Sequence, residues 1–138
     1  MKNVSSLNWF LISFGLIVFD QASKLFMLKY FEDLIFLNYG IAFSLPVPTW
    51  ITVTVACVLT VSILTLKFRN LLEKDYLWAI LMAGAIGNMI DRVRIGAVID
   101  FINLGFFPIF NFADIFLTVS AILIGYFYIL IPMKNDFK

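Results

Sequence analysis

The amino-acid sequence predicts an all-α membrane protein, a bundle of four transmembrane helices with a small extracytoplasmic β-structure at one membrane face. The chain has 138 residues, of which 62% are hydrophobic and only 14% are charged. This composition leaves too few charges to cover a soluble domain of this size. Four apolar stretches approach the roughly 20 residues that cross a bilayer. The segments between them are short, so residues 1–138 are expected to form a single domain.

The predicted spans cover residues 7–28, 50–66, 76–92 and 111–133. The first span could instead be a cleaved signal peptide, because Lys2 precedes its short apolar core. No small-x-small cleavage site follows that core, and the sequence continues Asp20-Gln-Ala-Ser-Lys24. We therefore interpret the stretch as a retained helix.

The distribution of Lys and Arg predicts the orientation. Six of the ten lie beside the termini and the short loop around Arg69, and four lie at the opposite ends of the spans. This bias predicts that both termini are cytoplasmic. Residues 29–49 and 92–110 then form two outer loops on the extracytoplasmic face.

Both outer loops contain extended segments. Residues 34–45 resemble a hairpin bent at Asn38-Tyr-Gly40, and residues 97–102 are typical of a strand. We expect both at the membrane surface, because open strands leave backbone groups unpaired in lipid.

The composition also excludes several kinds of chemistry. The chain has no histidine, so Ser-His, Cys-His and His-ligated metal sites are excluded. Its single cysteine, Cys57, excludes an internal disulfide and a CxxC motif. A net charge of +1 supplies no basic surface for nucleic acid. We expect no metal, cofactor or nucleic-acid partner, which leaves carboxylates, lysines and hydroxyls as candidate reactive groups.

Ionisable side chains lie within or at the ends of the spans, where they are costly and therefore candidates for function. Asp20 and Lys24 are four residues apart on one helix face and can form a structural ion pair. Asn88, Asp91 and Arg92 share a second face, after a Gly-x-x-Gly pair that allows close helix packing. This second group is either a simple helix-end charge cluster or part of a site.

Two aspartates differ in their local context. Asn111 and Asp114 open the fourth helix in a near capping box, which explains Asp114 structurally and favours its ionised form. Asp100 lies between Ile99 and Phe101 without a neighbouring Lys or Arg. A buried unpaired carboxylate is costly, so we expect Asp100 to be functional or paired across the fold.

Four motifs combine these residues in order along the chain. They are Phe19-Asp-Gln-Ala-Ser-Lys24, Asn38-Tyr-Gly-Ile-Ala-Phe-Ser44, Gly84-Ala-Ile-Gly-Asn-Met-Ile-Asp-Arg92 with Gly96-Ala-Val-Ile-Asp-Phe-Ile102, and Phe110-Asn-Phe-Ala-Asp114. Any one of them is a weak signal. Together, and placed in this way relative to four spans, they resemble the type II signal peptidases, the bacterial lipoprotein signal peptidases.

The resemblance implies a monomeric aspartic endopeptidase of the bacterial cytoplasmic (inner) membrane, in contact with lipid and with its active site toward the extracytoplasmic face. Its substrates would be diacylglyceryl-modified prolipoproteins, cut before the lipidated cysteine. Asp100 and Asp114 would be the catalytic pair. The other implied residues are the substrate contacts Asn38, Arg92 and Asn111 and the site-supporting Asp20, Lys24, Asn88 and Asp91.

The sequence departs from the family pattern in the outer loops. The segment between Lys24 and Asn38 is short, and the stretch between the two catalytic aspartates is brief. Leu37 stands where an arginine often precedes the Asn-x-Gly, and Ile41 replaces an alanine. We expect a reduced β-structure and a changed substrate groove, with the chemistry retained.

Two close carboxylates share a proton, and the helix-end position of Asp114 predicts that it is the base and Asp100 the acid.

Three other functions also fit the sequence. A small transporter or channel would use membrane carboxylates near the midplane, often with an inverted repeat. A Ser-Lys peptidase would use Ser23 or Ser44 with Lys24, although Ser23 and Lys24 project about 100° apart on a helix. A noncatalytic assembly partner is the third.

Overall fold

Four helices and one small sheet make up the part of the chain that the structure, a computed structural model, describes: residues 5–40, 47–69 and 75–127. The helices are α1 (Ser6–Tyr30), α2 (Thr49–Phe68), α3 (Asp75–Ile95) and α4 (Phe112–Gly125), and the strands are β1 (Phe36–Asn38) and β2 (Val98–Asp100). A single 3₁₀ turn, Glu32–Leu34, joins α1 to β1.

Each predicted span coincides with one helix. The first three helices extend one to three residues beyond the predicted ends, and α4 begins one residue after the predicted start. α4 ends at Gly125, and the predicted end at 133 lies outside the described residues. By length and composition, α1 and α2 are long and apolar enough to cross a membrane, and α4 is apolar but shorter.

Local sequence explains where α1, α2 and α4 begin. Ser5 caps α1 by accepting a hydrogen bond from the Asn8 N–H at 3.3 Å. Asn111 caps α4 in a full capping box with Asp114, as the sequence predicts. Pro48 directly precedes α2, where its missing N–H costs no helical hydrogen bond.

α3 is the central helix and contacts each of the other three. A Cβ added at Gly84 would lie 2.5 Å from the Ala113 carbonyl oxygen, and one at Gly87 would lie 2.7 Å from Asp20 Oδ2. These glycines therefore let α4 and α1 approach the α3 backbone, which confirms the predicted close packing. An apolar core around Trp9, Ile63, Ala79 and Met82 joins the N-terminal halves of α1 and α3 to the C-terminal half of α2.

The sheet joins the two outer loops. β1 pairs antiparallel with β2, with Phe36 opposite Asp100 and Asn38 opposite Val98. The strand predicted at 97–102 is therefore present as β2, and it pairs with β1. The second arm of the predicted hairpin, 41–45, lies outside the described residues. The Thr49 hydroxyl donates to the Gly96 carbonyl at 3.3 Å, so α2 begins beside the end of α3. The sheet lies at this end of the bundle.

Candidate active site

A buried ion cluster joins α1 to α3. Lys24 Nζ lies 2.8 Å from Asp20 Oδ2 and 2.7 Å from Asp91 Oδ2, and all three side chains are buried. The same ammonium donates to Asn88 Oδ1 at 3.2 Å. The predicted Asp20–Lys24 ion pair is confirmed, and Asp91 from α3 completes it. Buried charges require this kind of pairing because each has lost its contacts with water.

The carboxylates of this cluster also hold backbone groups. Asp20 Oδ1 accepts the Ala113 N–H at 2.9 Å, which fixes the first turn of α4. Asp91 Oδ2 accepts the Ile99 N–H at 3.3 Å, which fixes β2. The cluster therefore sets the positions of the two elements that carry Asp114 and Asp100.

Gln21 is a site residue that the sequence-based assignment missed. Its Nε2 donates to Asp20 Oδ2 at 3.2 Å, to Asp91 Oδ1 at 3.0 Å and to the Gly87 carbonyl at 3.1 Å. Its Oε1 accepts from Arg94 at 3.4 Å. Its position beside Asp20 in an apolar helix could have indicated this role, because a polar side chain there needs buried hydrogen-bond partners.

Asp100 is buried on β2 and is held by two asparagine amides. Its Oδ1 accepts from Asn111 Nδ2 at 2.6 Å, and its Oδ2 accepts from Asn38 Nδ2 at 3.0 Å. The side chain is only 1% exposed. The expectation that Asp100 is paired across the fold is confirmed, with amides as its partners and no cation among the described residues.

Asp114 lies at the start of α4 and is held in the same way. Its Oδ2 accepts the Asn111 backbone N–H at 3.1 Å, and its Oδ1 accepts from Asn88 Nδ2 at 2.8 Å. Asn111 therefore contacts Asp114 through its backbone and Asp100 through its side chain. This one residue links the two carboxylates.

Asn88 connects the ion cluster to Asp114. Its Oδ1 accepts from Lys24 and, at 3.1 Å, from Asn111 Nδ2, so its amide nitrogen must face Asp114. A flipped amide would turn its NH₂ toward the ammonium and its oxygen toward the carboxylate. Lys24 thus fixes the polarity of the network around the two aspartates.

Arg92 reaches the first outer loop. Its Nη2 donates to the Gly40 carbonyl at 2.9 Å, and the Gly40 N–H donates to Asn38 Oδ1 at 3.0 Å. The Asn38–Gly40 turn therefore lies between Arg92 and Asp100. This contact shows that the guanidinium can bind a peptide carbonyl from where it lies.

A cavity of about 720 Å³ opens beside these groups. Its polar end presents side chains from β1, β2, α3 and α4: Asn38, Asn88, Arg92, Asp100 and Asp114. Its remaining walls are largely apolar and come from α2, α4 and the segment before α4, including Ile51, Val55, Leu59, Pro108, Phe110 and Leu117. Convergent polar groups at one end of an apolar pocket are typical of a ligand site.

Asp100 is protonated more easily than an ordinary aspartate. Its pKa is raised to about 6, mainly by burial and to a smaller extent by the nearby Asp114 carboxylate. The hydrogen bonds from Asn38 and Asn111 act in the opposite direction because they favour the ionised form. Asp114 lies at the positive end of α4, which favours negative charge there.

The structure brings all nine predicted site residues into one connected network, with Gly40 as the link to Arg92. The Ser-Lys alternative loses support, because the Ser23 hydroxyl donates to the Asp20 carbonyl at 2.7 Å and Lys24 is held by two carboxylates. Ser44 lies outside the described residues. Within 5–40, 47–69 and 75–127, no group of three Cys, Asp or Glu side chains is arranged to hold a metal ion.

Comparison with known proteins identifies the family. A model described as signal peptidase (SPase) II matches residues 12–130. A lipoprotein signal peptidase of Caldanaerobacter subterraneus subsp. tengcongensis is 51% identical over 77 residues, which are 55% of this chain and 52%, about half, of that relative. A second, from Pseudomonas fluorescens (strain Pf0-1), is 32% identical over 86% of this chain and 85% of its own. A solved structure described as a bacterial membrane enzyme superposes with a TM-score of 0.79 at 25% identity, over 99% of this chain and 93% of that one. Because the family match extends through all four helices, this chain belongs to the signal peptidase II family.

Proposed function

We propose that this chain is a membrane aspartic endopeptidase that removes the signal peptide from diacylglyceryl-modified prolipoproteins, cutting before the lipidated cysteine. One observation supports the chemistry above all others. Asp100 and Asp114 are linked by Asn111, are paired with no cation among the described residues, and line one cavity. The substrate class follows from relatives named lipoprotein signal peptidase.

In the proposed reaction, Asp114 is the base and Asp100 is the acid. Asp114 takes a proton from a water molecule, whose oxygen attacks the scissile carbonyl carbon while Asp100 protonates the carbonyl oxygen. The tetrahedral intermediate collapses when Asp114 passes its proton to the amide nitrogen and the C–N bond breaks. Asp100 recovers its proton from the same intermediate, which restores the starting state.

The amides around the pair hold it without competing for its proton. Each of the four carboxylate oxygens already accepts one N–H hydrogen bond, from Asn38, Asn88 or Asn111. Amide nitrogens do not give up protons at neutral pH, so a proton on the pair exchanges only with water or substrate in the cavity. These fixed dipoles orient the carboxylates before substrate arrives.

Substrate binding is assigned to Arg92 and the neighbouring asparagines. The Arg92–Gly40 contact supports hydrogen bonding of the guanidinium to a substrate carbonyl near the cut. Asn38 lines the same cavity and would contact the substrate backbone. Asn111 is buried behind the two aspartates, and its role as a substrate contact rests on the family resemblance. The apolar walls suit apolar signal-peptide residues or acyl chains.

We further propose four membrane spans, with both termini in the cytoplasm, as a monomer in the bacterial cytoplasmic membrane. The length and composition of α1 and α2 support membrane spans. The helix ends nearest the sheet are those at Tyr30, Thr49, Ile95 and Phe112, which supports a common membrane face for them. The bias of Lys and Arg toward the other ends supports a site at the extracytoplasmic face.

The test is cleavage of one precursor in two forms. The full chain in phospholipid vesicles is supplied with a prolipoprotein whose cysteine is either diacylglyceryl-modified or unmodified. We expect release of the signal peptide from the modified form alone, with the lipidated cysteine as the new N-terminus by mass spectrometry. Cleavage of neither form, or cleavage at another bond, would refute the proposal. Inhibition by serine-directed reagents would instead support the hydroxyl route.

A further inference from the structure

A short closed hairpin, residues 102–110, connects β2 to α4. Its base is closed by Ile102 and Phe110, whose backbone N–H and carbonyl groups exchange hydrogen bonds of 2.8 and 3.1 Å. At its tip, the Asn103 side chain accepts the Gly105 N–H at 2.8 Å, and Gly105 has a φ of +80° that only glycine adopts easily. The hairpin therefore has a defined turn.

The tip of this hairpin is apolar and exposed. Leu104 is 51% exposed and Phe106 is 88% exposed, the highest value among the large apolar side chains of the described residues. No charged residue occurs from 101 to 113. Exposed apolar groups clustered in this way indicate a contact surface.

The neighbouring elements indicate that lipid covers the tip. Tyr30 ends α1 and Trp50 lies in the first turn of α2, both exposed at the end of the bundle where the sheet lies. Exposed Tyr and Trp at helix ends mark the boundary between lipid and water. The rings of Phe19, Phe112 and Phe101 contact in series, at 4.8 and 5.7 Å, and extend the apolar surface of α1 to the residue between β2 and the hairpin.

The two aromatic residues after Gly105 lie in different surroundings. Phe107 lines the cavity, whereas Phe106 is absent from its walls and almost fully exposed. We propose that Leu104 and Phe106 insert into the interfacial layer of the outer leaflet, with membrane phospholipid as their partner. The hairpin would then lie between lipid on one side and the cavity on the other.

This placement has a consequence for the site. The hairpin joins the strand that carries Asp100 to the helix that carries Asp114, so its tip, together with the membrane helices, would set the height of both carboxylates relative to the lipid. A cysteine carrying a diacylglyceryl group would enter at that height. This consequence rests on the proposed function, whereas the position of the tip in lipid does not.

A nitroxide spin label at position 106 tests the placement directly. The full chain carries Cys57→Ala and Phe106→Cys and is reconstituted without substrate in phosphatidylethanolamine–phosphatidylglycerol vesicles. Matched controls carry the label at Val58, an exposed position on α2, or at Asp33, an exposed acidic position before β1. We expect power saturation to show oxygen accessibility at 106 between that at 33 and that at 58, which lies at the middle of α2, and accessibility to a water-soluble nickel chelate several-fold below that at 33.

Nickel accessibility at 106 equal to that at 33 would overturn the proposal, because the tip would lie in water. Shielding of 106 from both oxygen and nickel would also overturn it, because the tip would then lie against protein, such as a second copy of this chain. Neither readout requires cleavage, so failure of the proposed function leaves this test intact.

Kinetics test the consequence for the site. Phe106→Ser should raise KM several-fold for lipid-modified precursor in vesicles, with kcat unchanged. Phe106→Trp, which keeps an aromatic side chain, should have the wild-type KM. In detergent micelles, where no bilayer fixes a depth, Phe106→Ser and the wild-type chain should have equal KM values. An unchanged KM in vesicles would refute the role of the tip in positioning the carboxylates.

Discussion

Four aspartates are held in one buried network, and they are held in two different ways. Asp20 and Asp91 lie within 2.8 Å of the Lys24 ammonium. Asp100 and Asp114 accept hydrogen bonds from amide and peptide N–H groups alone among the described residues, and both line the cavity. The first pair is closed off and balanced by a cation, and the second is open and has none.

The difference separates two uses of the same side chain. A carboxylate beside an ammonium is neutralised by it, which suits a structural role. A carboxylate held by neutral amides remains able to exchange a proton with its surroundings. Asn88 joins the two pairs, since it accepts from Lys24 and donates to Asp114, so the pair beside Lys24 orients the proposed catalytic pair.

The largest effect is expected from neutralising the open pair. Asp100→Asn and Asp114→Asn keep the size of the side chain but remove its acid–base chemistry, so each should lower kcat by about 10³-fold or more. Cleavage of the lipid-modified precursor in vesicles measures this. The thermal midpoint in detergent should stay within a few degrees of wild type, and Asp33→Asn, an exposed carboxylate, should keep full activity. Normal turnover in Asp100→Asn would remove it from the catalytic pair.

Disrupting the closed pair should lower the stability of the fold, whereas neutralising the open pair should lower only the activity. Lys24→Met leaves Asp20 and Asp91 as buried charges without a cation, which should cost about 3–5 kcal/mol. Thermal unfolding in detergent measures the loss. The triple variant Asp20→Asn, Lys24→Met, Asp91→Asn removes every charge of the cluster and should recover most of the stability, while Lys29→Met, an exposed lysine on the same helix, should change little. A stable Lys24→Met chain would show that the cluster does not stabilise the fold.

Local patterns predicted much of the closed pair and part of the open one. Asp20 and Lys24 are one helical turn apart, and Asn111 and Asp114 form a capping box within four residues. Both follow from helix geometry alone. The order of the motifs along the chain was sufficient to indicate the family.

Contacts between distant segments could not be predicted in this way. Asn38 and Asp100 are 62 residues apart, and their hydrogen bond depends on the pairing of β1 with β2, for which three-residue strands carry almost no sequence signal. Gln21 was missed because its acceptors, apart from its neighbour Asp20, lie on α3. One sequence shows which polar residues need partners, but the packing of the helices decides which partners they find.

Arg92 offers a test of substrate binding beside the open pair. If it donates to a substrate carbonyl as it does to Gly40, Arg92→Ala should raise KM by about 10- to 100-fold, because a hydrogen bond from a charged donor contributes about 1.5–3 kcal/mol. Steady-state kinetics in vesicles measure the change. Arg94→Ala is the matched control, because Arg94 is exposed and contacts Gln21 instead of the cavity. Wild-type processing by Arg92→Ala would remove this residue from the site.

The smallest effect concerns the proton on the open pair. The pKa of Asp100 is raised to about 6, so its protonated form predominates below that pH and is lost above it. If Asp100 is the acid, kcat/KM of wild-type enzyme should fall as pH rises through about 6, by up to about tenfold per unit. This descending limb of the pH profile reports the two carboxylates as a coupled pair, because Asp114 raises the pKa of Asp100 and Lys24 lowers it.

Asn38 should move this limb in a direction set by its hydrogen bond. Its amide donates to Asp100 Oδ2 and stabilises the ionised form, so Asn38→Ala should raise the pKa and shift the limb upward by about 0.5–1 pH unit. A loss of packing alone would lower kcat/KM without moving the limb. Asn103→Ala, which changes an exposed asparagine of the hairpin, should leave the limb in place. A limb that stays in place or moves downward in Asn38→Ala would mean that it does not report the titration of Asp100. A kcat/KM that instead rises with pH through the Asp100 pKa would exchange the roles of acid and base within the pair.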